Sequence, residues 1–384
     1  MRRNLPSLTS LRFFAASAIF ALHAEQISGF PKGQFAGFTL NQGVSFFYVL
    51  SGFILHYNYR ERTQESSWIS FFALRFFRLW PLHLFGLGLA SALAWQDIAS
   101  WYSAYLSIPK LLAIVFMLHA WSPDNHVYFA VNGVSWSLSV EIFFYACFPT
   151  LSRMVSKYPL RVFVATSVVV IAFALIAQAL QVDHSNGIYN INPLVRLPEF
   201  VVGILVAEWR ARRPAAPIAR ATGTVYETAS LAVLALSNWF SPIMFGWAYE
   251  NMGTGFVVYV HELYLAIPCA AVIYAFSLER GTVSSIMARR LLVLLGEASF
   301  ALYVIHQPIQ KFMAEMLVGM PPGALAVACA LSTVMLAVLL NRLLEIPAYR
   351  FARQVIDASP ATRTGRDHPA ERGTSTFTES GRES

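Results

Sequence analysis

Apolar residues in this chain come in runs of about twenty, with polar residues concentrated in the gaps between them. This is neither the period-two alternation of half-buried strands nor the single stripe of a surface helix. Such a run is long enough to cross a hydrocarbon layer as a helix. Ten lie near 6–26, 38–57, 71–94, 133–150, 160–180, 193–209, 226–245, 256–278, 291–313 and 323–342. The pattern predicts an all-α, polytopic integral membrane protein of about ten transmembrane helices. A shorter run at 104–121 reads as re-entrant or interfacial, because counting it as a span would invert every later connection.

Basic residues support that count. Arg2 and Arg3 precede span one, and Arg60 and Arg62 follow span two, with Arg75 and Arg78 opening span three. Arg153, Lys157 and Arg161 follow span four, and Arg210, Arg212, Arg213 and Arg220 follow span six. Arg280, Arg289 and Arg290 follow span eight, while Arg342, Arg350 and Arg353 lie at and beyond the end of span ten. The intervening connections offer only Lys32, Lys110 and Lys311. Positive residues accumulate on the cytoplasmic side, so both termini are expected there, in a multi-pass protein of the inner or plasma membrane. Arg12 interrupts any signal-peptide core and no small-x-small site follows one, so the first span reads as retained. Residues 1–356 form one membrane-embedded domain, and the polar stretch 357–384 is expected to be a disordered cytoplasmic tail.

Composition narrows the class. Of 384 residues, 56% are hydrophobic and 13% charged, against roughly 25% charged in an ordinary soluble domain. Mean hydropathy is +0.52. Too few charges remain to cover a water-soluble fold. The net charge of +7 follows membrane topology and gives no reason to expect a nucleic-acid partner. Cys147, Cys269 and Cys329 lie in apolar runs without CxxC or metal spacing, so neither a metal nor a disulfide scaffold is expected.

Ionisable residues inside spans are costly, roughly 2.5–3.5 kcal/mol each on insertion scales, and demand an explanation. Arg12 and His23 lie eleven positions apart in span one, about 20° past three full turns, so they share one helical face with roughly 16 Å between them. Singly, each has a bland reading, a snorkelling arginine or a hydrogen-bonded core histidine. Together they suit an elongated ligand, anionic at one end and reactive at the other. Arg75 and Arg78 put two guanidinium forks on one face of span three, suited to phosphate oxygens but also expected at a cytosolic helix end. Glu141, in Ser135-Trp136-Ser137-Leu138-Ser139-Val140-Glu141, is too deep and too short to snorkel. It is protonated, pairs, faces a wet cavity, or makes an interhelical hydrogen bond. Counted from their span ends, His23, Glu141 and His306 reach similar depth in the outer half. The Gly43–Phe53 stretch lacks the GK[ST] end of a phosphate loop and reads as small residues for close helix packing.

These segments together resemble acyltransferase family 3, the integral-membrane O-acyltransferases of bacteria. The resemblance rests on Arg12 with His23, Phe46-Phe47-Tyr48-Val49-Leu50-Ser51-Gly52-Phe53, Arg75–Arg78 with Pro81, Ser135–Glu141, Tyr303-Val304-Ile305-His306-Gln307-Pro308 and Glu345-Ile346-Pro347, in family order from Leu5 to about Arg353. It implies transfer of an acyl group, usually acetyl from acetyl-CoA as co-substrate with no bound cofactor, to a hydroxyl of a carbohydrate or glycolipid acceptor.

By that analogy His23 is the catalytic base, and Arg12, Arg75 and Arg78 handle the donor. Glu141 is the expected partner that orients or charge-stabilises His23. Ser135, Trp136, Tyr303 and His306 remain candidates for acceptor contact or for structure. Direct transfer and an acyl-histidine route both stay open. In the outer connection 97–132, Trp101, Tyr102, Tyr105, His119, Trp121, His126 and Tyr128 offer either sugar stacking or an interfacial belt. A glycan flippase or transporter would also use intramembrane His, Glu and Arg, but no inverted repeat with broken helices in matching halves is evident.

Overall fold

The computed structural model describes residues 5–28, 42–61, 68–94, 107–180, 187–213, 218–252 and 254–358. The predicted tail beyond 358 and the aromatic residues Trp101, Tyr102 and Tyr105 lie outside them. The helices are α1 (Pro6–Ser28), α2 (Gln42–Tyr59), α3 (Trp68–Leu93), α4 (Ile108–Val115), α5 (Asn125–Tyr128), α6 (Trp136–Lys157), α7 (Pro159–Ala179) and α8 (Pro193–Arg212). They continue with α9 (Arg220–Asn251), α10 (Thr254–Ser277), α11 (Thr282–Met287), α12 (Arg290–Glu297), α13 (Ser299–Met316), α14 (Pro322–Leu340) and α15 (Ile346–Ala358). No strand occurs among the described residues, and the protein is all-α.

Every predicted span is represented by helix. Eight stretches among the described residues are long and apolar enough to cross a membrane, and α12 with α13 supplies a ninth, bent by 60°. α2 is helical over its 18 residues but diluted by Gln42, Ser45, Ser51, His56 and Asn58. It is central all the same. Gly52 of α2 and Gly203 of α8 meet the facing backbone so closely that a Cβ on either would overlap a carbonyl oxygen, of Phe200 and Val49 respectively. Only glycine permits that approach, which is how small residues hold helices together without a hydrophobic driving force.

Burial separates centre from rim. In the Gly187–Arg212 stretch, 72% of the most apolar window is buried inside the protein, against 17% for Arg220–Ala248. α8 is therefore a core helix and α9 a lipid-facing one. α7 and α14 turn large side chains outward as well, including Leu160, Val168, Leu331 and Met335.

The 104–121 run is no span. α4 has eight residues, roughly 12 Å of helix. The following turn, His119–Trp121, packs against the start of α6, where Ala120 N–H donates to Ser139 Oγ (3.2 Å) and His119 Nε2 lies 3.2 Å from Ser135 Oγ. The first turns of α6 are thus covered by protein.

Cytosol-side connections, on the predicted orientation, are tied by carboxylates at helix starts. Glu227 of α9, fully buried, accepts N–H bonds from Gly281, Val283 and Ser284 (2.9–3.1 Å) at the opening of α11. Glu279 accepts from the N–H and hydroxyl of Ser7 at the opening of α1 (3.0 and 2.8 Å). Both satisfy amides that a helix leaves unpaired at its first turn.

Candidate active site

A cavity of about 110 Å³ lies among α1, α2, α3, α6 and α13. Its polar wall is Arg12, Arg75, Arg78, Ser51, Ser137, Glu141, Tyr48, Tyr145 and Tyr303. Arg75 is anchored: its Nη2 donates to Tyr59 Oη (2.7 Å) and its guanidinium lies over the Tyr59 and Phe71 rings (5.0 and 5.8 Å). Arg12 and Arg78 have no hydrogen-bond partner or ion pair among the described residues. The opposing charges acting on both are Glu141, in the cavity wall, and Glu345, from a π-turn at Asn341–Glu345. Three guanidiniums against one carboxylate make the wall net cationic. Two of the forks are free, and their desolvation within the protein is uncompensated until an anion arrives.

Glu141 accepts from the Tyr145 hydroxyl in a very short hydrogen bond and from Ser51 Oγ at 3.4 Å. It belongs to the arginine cavity and has no hydrogen bond to His23 or His306. Of the three groups expected at one level, Glu141 stands apart: the first turn of α6 packs under the 107–135 segment, so its first residue does not mark the membrane surface. The expectation that Glu141 orients His23 is corrected accordingly.

The two histidines do meet. His23 Nδ1 lies 2.9 Å from His306 Nε2, with ring centroids 5.1 Å apart. His306 is fully buried and its Nδ1 lies 2.6 Å from the Tyr303 carbonyl one turn back on α13. His23 is half-buried. The count that placed His306 ran along a continuous helix from Leu291, whereas the helix breaks at Ala298 and α13 starts at Ser299. His306 is seven residues on, about 10 Å from that start.

Neither histidine lines the arginine cavity. Tyr303 joins the two centres: its ring lines the cavity, its hydroxyl lies 2.8 Å from Ser137 Oγ and donates to Val134 O, and its carbonyl meets His306. Phe47, also in the cavity wall, contacts the Tyr303 ring with centroids 6.2 Å apart. The shared Arg12–His23 face therefore points into the protein, towards two adjacent polar centres divided by aromatic side chains.

Pro308 explains part of this arrangement. Lacking N–H, it leaves the Val304 carbonyl without its helical donor, and Asn132 Nδ2 supplies one at 2.9 Å. Asn132 is delivered by a tight turn in which its own N–H reaches Ala130 O (2.6 Å) across Val131, a β-branched residue at φ 61°. That backbone conformation is strained for valine. Ser135, also buried, donates to Asn132 O (2.7 Å), while Trp136 takes Arg196 against its ring (5.8 Å). Ser135 and Trp136 thus serve the framework around the start of α6 and do not line the cavity.

This chain matches the acyltransferase-domain family over residues 5–342. It belongs to acyltransferase family 3. Among curated relatives, acyltransferase MdmB of Streptomyces mycarofaciens is 28% identical, covering 90% of this chain and 92% of its own. Exopolysaccharide production protein ExoZ of Rhizobium meliloti (strain 1021) is 25% identical, over 81% and 90%. No solved structure matches.

Two groups within this acyltransferase were not singled out from its sequence. Arg196 forms ion pairs with Glu199 (3.3 Å) and, more closely, Glu262. His56 bridges Ser152 (2.9 Å) and Glu208 (2.8 Å), with Arg60 and Arg212 closing on the same carboxylate. Arg196, Glu199, Glu262, His56 and Glu208 lie in predicted spans, so the rule that flagged Glu141 flags them too; Arg60, Arg212 and Ser152 lie just beyond span ends. Their mutual pairing, which offsets the cost of burial, is visible only in the fold.

Proposed function

We propose that this protein is a membrane O-acyltransferase that moves an acyl group, acetyl in the simplest case, from acyl-CoA to a hydroxyl of a carbohydrate acceptor. Family membership supplies acyl transfer. The carrying observation for the donor is the net cationic cavity with two unpartnered guanidiniums, Arg12 and Arg78. A coenzyme A head carries several phosphate charges on a long flexible arm, and it matches a pair of free forks in charge and geometry. On the positive-inside orientation Arg12, Arg75 and Arg78 lie in the cytoplasmic halves of α1 and α3, on the side where acyl-CoA is found.

The pantetheine arm then runs along the Arg12–His23 face and past Phe47 and Tyr303, so that the thioester reaches His23. The neutral imidazole accepts the proton of the acceptor hydroxyl as its oxygen attacks the thioester carbonyl. Glu141 works at the donor end in this scheme, where it holds Tyr145 and balances part of the cationic wall. ExoZ is named for exopolysaccharide production, which favours a glycan acceptor.

The test uses purified protein in nanodiscs with acetyl-CoA, following release of CoA thiol, alongside a comparison of acetyl esters in cell-surface glycans with and without the gene. Thiol release by the wild type that is lost in His23→Ala supports the reading. Wild-type rates in His23→Ala would remove His23 from the mechanism.

A further inference from the structure

The hydrogen bonds around the two histidines have a direction that fixes which nitrogen does the chemistry. A backbone carbonyl only accepts, so His306 Nδ1, 2.6 Å from Tyr303 O, carries the hydrogen. Among the described residues no carboxylate is hydrogen-bonded to either ring, and His306 is fully buried, where an unpaired charge is too costly to hold at rest. Both rings are therefore neutral, and a neutral imidazole has one donor and one acceptor nitrogen. His306 Nε2 is then a lone pair. The atom 2.9 Å from it, His23 Nδ1, must donate, which leaves His23 Nε2 as an unprotonated base. That nitrogen belongs to the half-buried ring, the one substrate is able to reach.

We propose that His306 is the positioning residue of this acyltransferase, locking His23 into the tautomer with hydrogen on Nδ1 and the base on Nε2, with the Tyr303 carbonyl locking His306 in turn. This rests on the acyl-transfer reading above and assigns within it a role that sequence reasoning gave to Glu141. His306 makes no substrate contact. Its ring is held between Phe20 and Tyr303 (centroids 6.1 and 5.8 Å), and one turn further on Gln310 Nε2 donates to Phe20 O (3.0 Å), pinning α13 to α1 beside the pair.

The proton balance closes on one nitrogen. The acceptor O–H proton moves to His23 Nε2 as the oxygen bonds to the thioester carbon. The C–S bond then breaks, and the departing thiolate takes that proton from Nε2. His23 returns to its resting tautomer with no net proton gained or lost. While His23 is charged, its Nδ1–H donates into the His306 lone pair, an arrangement analogous to the carboxylate that orients the histidine of a serine hydrolase.

The experiment compares wild type, His306→Ala and His306→Gln in nanodiscs, with ¹⁵N NMR of histidine-labelled protein and steady-state thiol release. The expected NMR result is an unprotonated Nε2 on His23 in the wild type and mixed tautomers in His306→Ala. His306→Ala is expected to lower kcat by about 10²–10⁴-fold, the scale of losing a tautomer-fixing partner, with the acetyl-CoA KM within about twofold. His306→Gln, whose amide oxygen accepts near the position of Nε2, recovers at least about tenfold of that loss. A His23 proton found on Nε2, or a wild-type kcat in His306→Ala, overturns the proposal. If the Ala variant fails to fold, the wild-type spectrum and the Gln variant decide. A wild type that releases no thiol, yet shows the expected tautomer, counts against the donor reading and leaves the lock standing.

Discussion

Arg78 offers the sharpest test of the donor cavity, because among the described residues its guanidinium has no hydrogen bond or ion pair, only the longer-range pull of Glu141 and Glu345. Arg75 is bonded to Tyr59 and stacked on two rings, so its removal mixes donor binding with packing. Arg78→Ala removes one free fork of three wall cations. A hydrogen bond to a charged group contributes about 1.5–3 kcal/mol. At roughly 1.4 kcal/mol per factor of ten, the acetyl-CoA KM should rise about 10- to 150-fold.

The phosphates are remote from the reacting carbonyl and are held equally in ground and transition states, so kcat at saturation should stay near wild type. Arg78→Lys keeps the charge and loses the fork, and should fall between the two. The assay is thiol release against acetyl-CoA concentration at fixed ionic strength, with monodispersity as the folding control. An unchanged KM, with activity falling only in step with the folded fraction, would refute the reasoning and reduce Arg78 to a topological charge.

Three further outcomes are expected. Asn132→Ala removes the amide donor that meets the Val304 carbonyl beside Pro308, leaving a buried acceptor that costs about 1–3 kcal/mol; a thermal unfolding midpoint matching wild type would contradict this. Glu227→Ala strips the acceptor from three amides at the start of α11 and should cost on the order of 3 kcal/mol, with Glu227→Gln recovering part of it in the same melt. Tyr303→Phe deletes the phenol but keeps the carbonyl that holds His306, so the His23 tautomer should persist by ¹⁵N NMR with kcat reduced less than about tenfold; scrambling of the tautomer would mean that the hydroxyl, and not the backbone, sets the lock.

What could be read from the chain, and what could not, divides along one physical line. Spans depend on long apolar runs, a local property, and each of the ten predicted segments carries a helix among its described residues. Positive-inside counting also separated the 104–121 run from true spans, and α4 is too short to cross. The helical angle between Arg12 and His23 is local as well, and both residues do turn inward. Depth is different. It assumes that each helix starts at the membrane surface, which loop packing over α6 undoes, although the two histidines counted to one level do meet. Gly296 sits against the backbone of Thr9 and Ser10, just before the helix bends at Ala298, and His306 beyond the bend still reaches His23. The 107–135 segment covers α6, which misplaces Glu141. Partnership in a membrane protein is therefore set by which helices touch, and the carboxylate nearest in counted depth went to the arginines while a second imidazole took its place beside His23. The consequence is chemical: a neutral partner fixes the base without adding charge to the hydrocarbon region, whereas a carboxylate at that spot would need a cation of its own.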